Sequence, residues 1–279
     1  MSSACSFALA LVLGSCSAIG FLQAAPMKHP DLRVCSDPNN LPYSNSREQG
    51  FENGLARLVA RDLGRTVRYV WVPQRGDYLR KTLLANRCDL VMGMPSAITE
   101  AQATRPYYRS SYVFVSRRDR HLGVHSFDDP PLRVERIGLH ILQNDGAAVP
   151  PAQALADRGL ARNIVWYRIF PNFTRKNPPA ALIEAVERGD IDMAVAWGPM
   201  AGYFASHASV PLDIVPVSPQ FERSIPLAFD ISMGVRRGDT KLLAQLNGVI
   251  ERRRTGIRRL LERYGVPVLP VADRDARGR

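Results

Sequence analysis

The sequence predicts an α/β fold of two lobes, each a mostly parallel sheet flanked by helices, joined by a two-segment hinge. Three observations predict it. β-rich and helical stretches alternate from Leu32 to Met92. A second alternation starts at Ile137. Both contain the same unit, a helix, a polar turn, an aspartate and an apolar strand, written NRCDLVMG in the first and RGDIDMAVAWG in the second.

The chain has 279 residues, enough for two lobes of ordinary size, and 46% hydrophobic with 23% charged residues is a globular balance. No charged residue precedes Lys28, and Phe7 to Leu13 reads FALALVL ahead of small residues and Gln23-Ala24-Ala25. Residues 1–25 are therefore expected to be a cleaved secretory signal, too short and interrupted for a membrane span of roughly 20 apolar residues. Leu13-Gly14-Ser15-Cys16 offers the alternative of a lipoprotein anchored at Cys16. Export leaves Cys35 and Cys88 in an oxidising compartment, the periplasm. Both sit at expected strands, and the sequence leaves open whether the register brings them within bonding distance.

In the first lobe, Leu32 to Cys35 reads as a strand running into the turn-rich loop SDPNNLPYSN. Phe51, Leu55, Leu58, Val59 and Leu63 recur at helical spacing, with Gly64 as the stop. Thr66 to Val72 is β-rich, Tyr78 to Ala85 reads as a helix, and Asp89 to Met92 as a buried strand ending at Gly93. Tyr112 to Ser116 is a further strand before the charged run Arg117 to Arg120, where the chain is expected to cross. The second lobe holds strands at Ile137–Leu142, Ile164–Phe170 and Ile191–Ala196, and helices at Pro150–Arg158 and Ala180–Arg188. Strands at Ile214–Val217 and Phe229–Val235 carry the chain back to a long helix, Lys241–Tyr264, bent near Thr255-Gly256. The expected division is residues 28–116 with 220–279 for lobe 1 and 117–219 for lobe 2.

From about Leu32 to Val266 the sequence resembles the type II periplasmic binding proteins, on LRVCSDPNNLPYS, GFENGLARLVARDLG, NRCDLVMGMPSAITEAQ and SMGVRRGD. In that fold the ligand lies in a cleft at the C-terminal ends of the strands of both lobes. The resemblance implies that amino-acid receptors would carry an arginine at Gln102 for the ligand carboxylate and an aspartate at Trp197 for its ammonium. Both anchors are missing, and a buried zwitterion without paired charges is costly.

A longer set of segments resembles the quinoprotein-dehydrogenase-associated group, which includes the accessory J proteins of methanol dehydrogenase systems. These are CSDPNNLPYSN, GFEN, YVWVPQRGDYLRKTLLANRCDLVMGMP and TRPYYRSSYVFVSRRDR, with DIDMAVAWGPMAGYFA in the second lobe. Gly76 departs from the arginine expected in QRGDY. The resemblance implies a noncatalytic accessory role beside a PQQ-dependent methanol or alcohol dehydrogenase and its cytochrome c, assisting activation or maturation. The alternatives are an ABC-importer receptor for a small non-amino-acid solute and a cleft dehydratase on the same fold.

The expected cleft residues are Asp37, Asn39, Asn40 and Tyr43 in the first loop, Arg75, and Met94, Pro95, Ser96 and Gln102 after the third strand. Tyr107, Tyr108 and Tyr112 sit near the crossing, and Asn144, Trp197, Pro199 and Tyr203 in the second lobe. The loop Asp37 to Asn45 reads equally as a turn held by Asx hydrogen bonds. The aromatic run at Trp197 reads equally as lobe core. The five histidines are scattered, and none sits in a G-x-S-x-G, HExxH or triad-like arrangement. Asp37 and Glu52 form the one candidate acid pair. No cofactor and no metal site is expected. The net charge of +11, with nine arginines from Arg252 to Arg279, suits an acidic protein surface or anionic lipid and reads equally as a solubilising basic face, and no nucleic-acid-binding motif accompanies it.

Overall fold

The computed structural model describes residues 31–141, 149–168 and 177–270. The signal segment, Cys16 and Asn144 lie outside these residues. Leu32–Ser36 (β1), Val67–Trp71 (β2) and Leu90–Pro95 (β3) form the parallel part of the first lobe, in the order β2-β1-β3. Helix Phe51–Asp62 (α1) joins β1 to β2, and Tyr78–Lys81 (α2) precedes β3. Tyr108–Arg117 (β4) leads into the second lobe, built on Ile137–Ile141 (β5), Ile164–Arg168 (β6) and Met193–Trp197 (β7). Its helices are Pro150–Ala156 (α3), Ala181–Arg188 (α4) and Gly198–Ala205 (α5). Leu212–Pro216 (β8) and Ala228–Val235 (β9) bring the chain back to Thr240–Arg252 (α6) and Arg254–Arg263 (α7).

The hinge lies inside one strand. Tyr108 to Ser111 of β4 pair with β9, whereas Tyr112 to Arg117 pair with β7 on one side and β8 on the other. The partners change between Ser111 and Tyr112, earlier than the crossing after Ser116 read from the charged run. The strand is ten residues long where the sequence suggested five, because continuous pairing carries it from one lobe to the other. Both sheets are mixed, since β4 and β9 run antiparallel to their neighbours.

Other differences are local. The helix expected to Ala85 ends at Lys81, and a turn with Asn86 at φ +56° delivers Cys88 beside β1. The long C-terminal helix breaks at Arg253 rather than at Gly256, where Arg252 and Arg253 both reach back to Asp62 at 2.6 Å. Leu55, Val59 and Ala60 of α1 pack with Leu246, Val249, Ile257 and Leu261 of α6 and α7 to form the first core. The second lobe buries Ile137, Leu139, Met193 and Val195 on one side of its sheet and Val113, Val115, Ala194 and Ala196 on the other.

After α7 the chain binds across the hinge. Gly202 of α5 approaches Gly265 so closely that a Cβ there would lie 1.9 Å from the Gly265 carbonyl oxygen. Ser110 Oγ donates to the Pro267 carbonyl at 2.6 Å, and the Leu269 amide donates to that of Arg109 at 2.8 Å. Cys35 and Cys88 form a disulfide, with Cα atoms 5.6 Å apart. Register answers what the sequence left open: Cys35 pairs with Val91, which sets Cys88 just ahead of β3 beside it. No helix among the described residues is long and apolar enough to cross a membrane.

Candidate functional site

A cavity of about 590 Å³ opens between the lobes at the C-terminal ends of β1, β3, β5 and β7, where open α/β sheets place their ligands. The first lobe contributes Asp37, Asn39, Asn40, Tyr43, Glu52, Gln74, Arg75, Gly76, Gly93, Pro95 and Ile98. The hinge strands contribute Tyr108, Tyr112, Phe229 and Ile231. The second lobe contributes His140, Val149, Pro150, Pro178, Pro179, Val195, Trp197 and Met200.

The first-lobe wall is polar and internally tied. Asp37 is 3% exposed, and its carboxylate accepts the Asn39 amide at 2.8 Å and the Gln74 amide at 2.6 Å. The Asn39 bond is an Asx turn, so the loop turns by its own hydrogen bonding and lines the cavity as well. Asn40 Nδ2 donates to Gln74 Oε1 at 3.2 Å, tying the loop to the segment after β2. Burial raises the Asp37 carboxyl, opposed by those two amides and the positive charge of Arg75. Glu52, in the first turn of α1, is pushed up to about 8 by burial and then by the neighbouring charge of Asp37. Its Oε1 rests against the bare face of Gly93, where a Cβ would come within 2.0 Å.

The second-lobe wall is aromatic and apolar. Tyr112 and Trp197 pair across β4 and β7, with ring centroids 5.6 Å apart, and Trp197 meets Phe229 at 5.7 Å, both edge to face. Such pairs contribute about 0.5–1.5 kcal/mol each beyond the area they bury. His140, near the end of β5, is 5% exposed. Burial lowers its pKa to about 3, partly offset by a hydrogen bond to the Pro179 carbonyl. Its Nε2 is itself buried and has no hydrogen-bond partner among the described residues.

Of the residues singled out from sequence, Asp37, Asn39, Asn40, Tyr43, Arg75, Pro95, Tyr108, Tyr112 and Trp197 come together around the cavity. Met94 and Tyr107 do not. Alternation along a strand turns them away from the side that Gly93, Pro95 and Tyr108 present. Met94 packs with Cys35, Cys88 and Leu83, and Tyr107 donates to the Met92 carbonyl at 3.3 Å. Ser96 is taken up by the Asp230 carbonyl at 3.0 Å and Ser232 Oγ at 2.6 Å. Gln102 sits in a two-residue strand opposite Val235. Pro199 is buried in the first turn of α5, and Tyr203 at its far end stacks on Tyr264 at 5.8 Å. The aromatic wall is therefore Tyr112, Trp197 and Phe229, with Tyr203 and Phe204 packed elsewhere.

The sequence reading named Glu52 only as the partner of Asp37 in a candidate acid pair and counted His140 among scattered histidines. It passed over Phe229, Met200 and the Pro178-Pro179 pair. Glu52 had one usable signal, an acid opening a helix directly after a cleft loop. His140 had another, its place at the C-terminal end of a parallel strand. Among the described residues no group of three or more His, Cys, Asp or Glu side chains could hold a metal ion.

Two lobes hinged within one strand, with a cavity at the strand ends, define the bilobed binding-protein class of fold. The chain belongs to the bacterial extracellular solute-binding proteins, family 3, whose profile matches residues 32–266. It is 32% identical over 266 residues to Protein MoxJ of Methylorubrum extorquens strain AM1, spanning 90% of this chain and 87% of that protein. The crystal structure of MxaJ from Methlophaga aminisulfidivorans MPT superposes with a TM-score of 0.76 at 26% identity, over 85% of this chain and 100% of that one. That of the periplasmic binding protein XoxJ from Methylobacterium extorquens AM1 superposes with a TM-score of 0.71 at 36% identity, over 86% and 100%.

Proposed function

We propose that this protein is a periplasmic, noncatalytic accessory protein that engages a PQQ-dependent methanol or alcohol dehydrogenase and assists its activation or maturation. The observation that carries the reading is the match to MoxJ over 90% of the chain, in agreement with the dehydrogenase-associated segments read from sequence. The cavity supports it from another direction. Among the described residues its titratable side chains of acid or arginine type, Asp37, Glu52 and Arg75, belong to the first lobe, and the second lobe offers Trp197, packed against Phe229 of the hinge, where an amino-acid receptor needs an anchor for an ammonium group. The reading places the protein in the periplasm after removal of residues 1–25, with the dehydrogenase as main partner and its cytochrome c as a further contact. Its lobes are residues 28–116 with 220–279, and 117–219, less the part of β4 that pairs across.

Deleting the gene in its host tests this. The expected result is a fall in dehydrogenase activity per unit of dehydrogenase polypeptide, restored by the wild-type gene. Unchanged specific activity with impaired growth on one exogenous solute would support an importer receptor instead.

A further inference from the structure

The two lobes do not share the charge of the chain. Residues 112–219, on the far side of the hinge, hold 11 Lys and Arg against 11 Asp and Glu. Residues 1–111 and 220–279 hold 26 against 15, so they carry the whole net charge of +11. The fold gathers part of that excess onto one outer face. Helix α7 lies antiparallel along α1: a Cβ on Gly256 would lie 3.5 Å from Leu58 Cδ1, one on Gly54 3.1 Å from Leu260 Cδ1, and the Tyr264 hydroxyl donates to the Gln49 carbonyl at 2.6 Å. Ile257, Leu260 and Leu261 are buried, so the helical period turns Arg254, Arg258, Arg259 and Arg263 outward, and all four are exposed. Arg57 and Arg61 of α1, on either side of Leu58, are exposed as well.

A solvated helix face usually balances its charges within itself, and this one does so only in part. Arg57 meets Glu48 at 3.1 Å, Arg254 meets Glu251 at 2.9 Å and Arg258 meets Glu262 at 3.0 Å. Arg61, Arg259 and Arg263 have no carboxylate partner among the described residues. Asp62, next to Arg61 in the chain, is already taken by Arg252 and Arg253. The chemistry of the face selects its partner. Every cation on it is an arginine, whose planar fork meets a carboxylate through two hydrogen bonds at once. From Arg254 to Arg263 the exposed positions include no apolar side chain, which a helix seated in a lipid surface requires.

We propose that the outer face of α7, with the neighbouring arginines of α1, docks an acidic surface patch of the quinoprotein dehydrogenase, with Arg61, Arg259 and Arg263 meeting its carboxylates. This rests on the accessory reading and deepens it, because it assigns the contact to the outside of the first lobe and leaves the cleft open.

The test compares two double charge reversals of equal size. Arg259→Glu with Arg263→Glu alters the face, and Arg133→Glu with Arg162→Glu makes the same change at exposed positions of the second lobe. None of the four arginines makes an ion pair among the described residues, so neither variant strands an acid, and both should melt within about 3 °C of the wild type. Binding of each mature protein to the purified host dehydrogenase is measured by interferometry at low and moderate salt. The α7 reversal is expected to weaken binding about fivefold or more at low salt and to flatten its salt dependence, while the second-lobe reversal stays within about twofold. Equal effects of the two reversals, or wild-type affinity in the α7 variant, overturn the docking face and leave the accessory reading standing. No binding by the wild type overturns the accessory reading and the docking face with it. Vesicles of phosphatidylglycerol and phosphatidylcholine form a second arm. Vesicle binding that only the α7 reversal abolishes, with affinity for the dehydrogenase unchanged, overturns the proposal in favour of anionic lipid.

Discussion

In both lobes an aspartate stands immediately before a central strand and holds the neighbouring parallel strand through an arginine. Asp89 Oδ2 accepts the Arg33 amide and Nε, both at 3.1 Å, and Asp192 Oδ2 accepts the Arg136 amide at 2.9 Å and Nε at 3.0 Å. A second arginine joins each, Arg236 at 3.3 Å in the first lobe and Arg120 at 3.0 Å in the second. The register is the same, with Val34 opposite Leu90 and Ile137 opposite Met193. The lobes part company one step away. Two residues past the arginine stands Cys35 in one and Gly138 in the other, and before the aspartate stand Cys88 and Ile191. The first pair is a disulfide. In the second, a Cβ on Gly138 would lie 2.4 Å from Ile191 Cδ1 and 2.5 Å from Leu182 Cδ1, so bare backbone takes the place of a crosslink. One strand pairing is thus closed covalently in the lobe that carries the polar loops and by apolar contact in the lobe that carries the aromatic wall.

Breaking the covalent closure should have the largest effect. Cys35→Ser with Cys88→Ser, or reduction of the wild type, should cost about 2–5 kcal/mol of unfolding free energy. Urea unfolding with and without reductant measures it, and a reductant-insensitive midpoint would contradict the assignment. Filling the apolar counterpart should cost less. Gly138→Ala is expected to lose about 1–3 kcal/mol by overpacking, with part recovered in the double variant with Ile191→Val. Additive effects of the two changes would show that these side chains do not compete for the same space.

The shared pins sharpen the comparison further. Asp192 is held below the usual carboxylate range by the Arg136 hydrogen bonds. Asp89 is also held low, because bonds from Arg33 outweigh a burial that would raise it. A carboxylate with a depressed folded-state pKa stabilises the fold above its unfolded value, near pH 4, and that stability is lost as pH falls through the folded value. Asp89→Asn and Asp192→Asn should each cost about 1–3 kcal/mol at pH 7 and should flatten the loss of stability below about pH 4. Thermal melts from pH 2 to pH 7 read both effects. Loss in only one lobe would show that the matching geometry does not carry matching energy.

The parts of this architecture legible in the sequence are those that local pattern controls. Helical spacing from Phe51 to Leu63 gave α1 to within a residue, and the repeated Asp-strand unit announced two like lobes. The loop Asp37 to Tyr43 was readable as cleft because it follows a strand end. The rest depends on distant pairing. The length of β4 follows from partners in both lobes, and Cys35 with Cys88 depends on a parallel register that spacing alone does not set. Met94 and Tyr107 were misplaced by one residue of alternation, a shift that turns a side chain to the other face. Phe229 and Pro179 reach the cavity from segments far from its other walls.

The account turns most directly on whether the protein meets a quinoprotein dehydrogenase. Tagged mature protein, incubated with periplasmic extract of its host at low and moderate salt, is recovered and its partners identified by mass spectrometry. The account predicts a PQQ-dependent dehydrogenase at low salt, depleted as salt screens the contact made by a chain of net charge +11. Absence of any dehydrogenase at both salt levels, with or without prior chemical crosslinking of the extract, would contradict it.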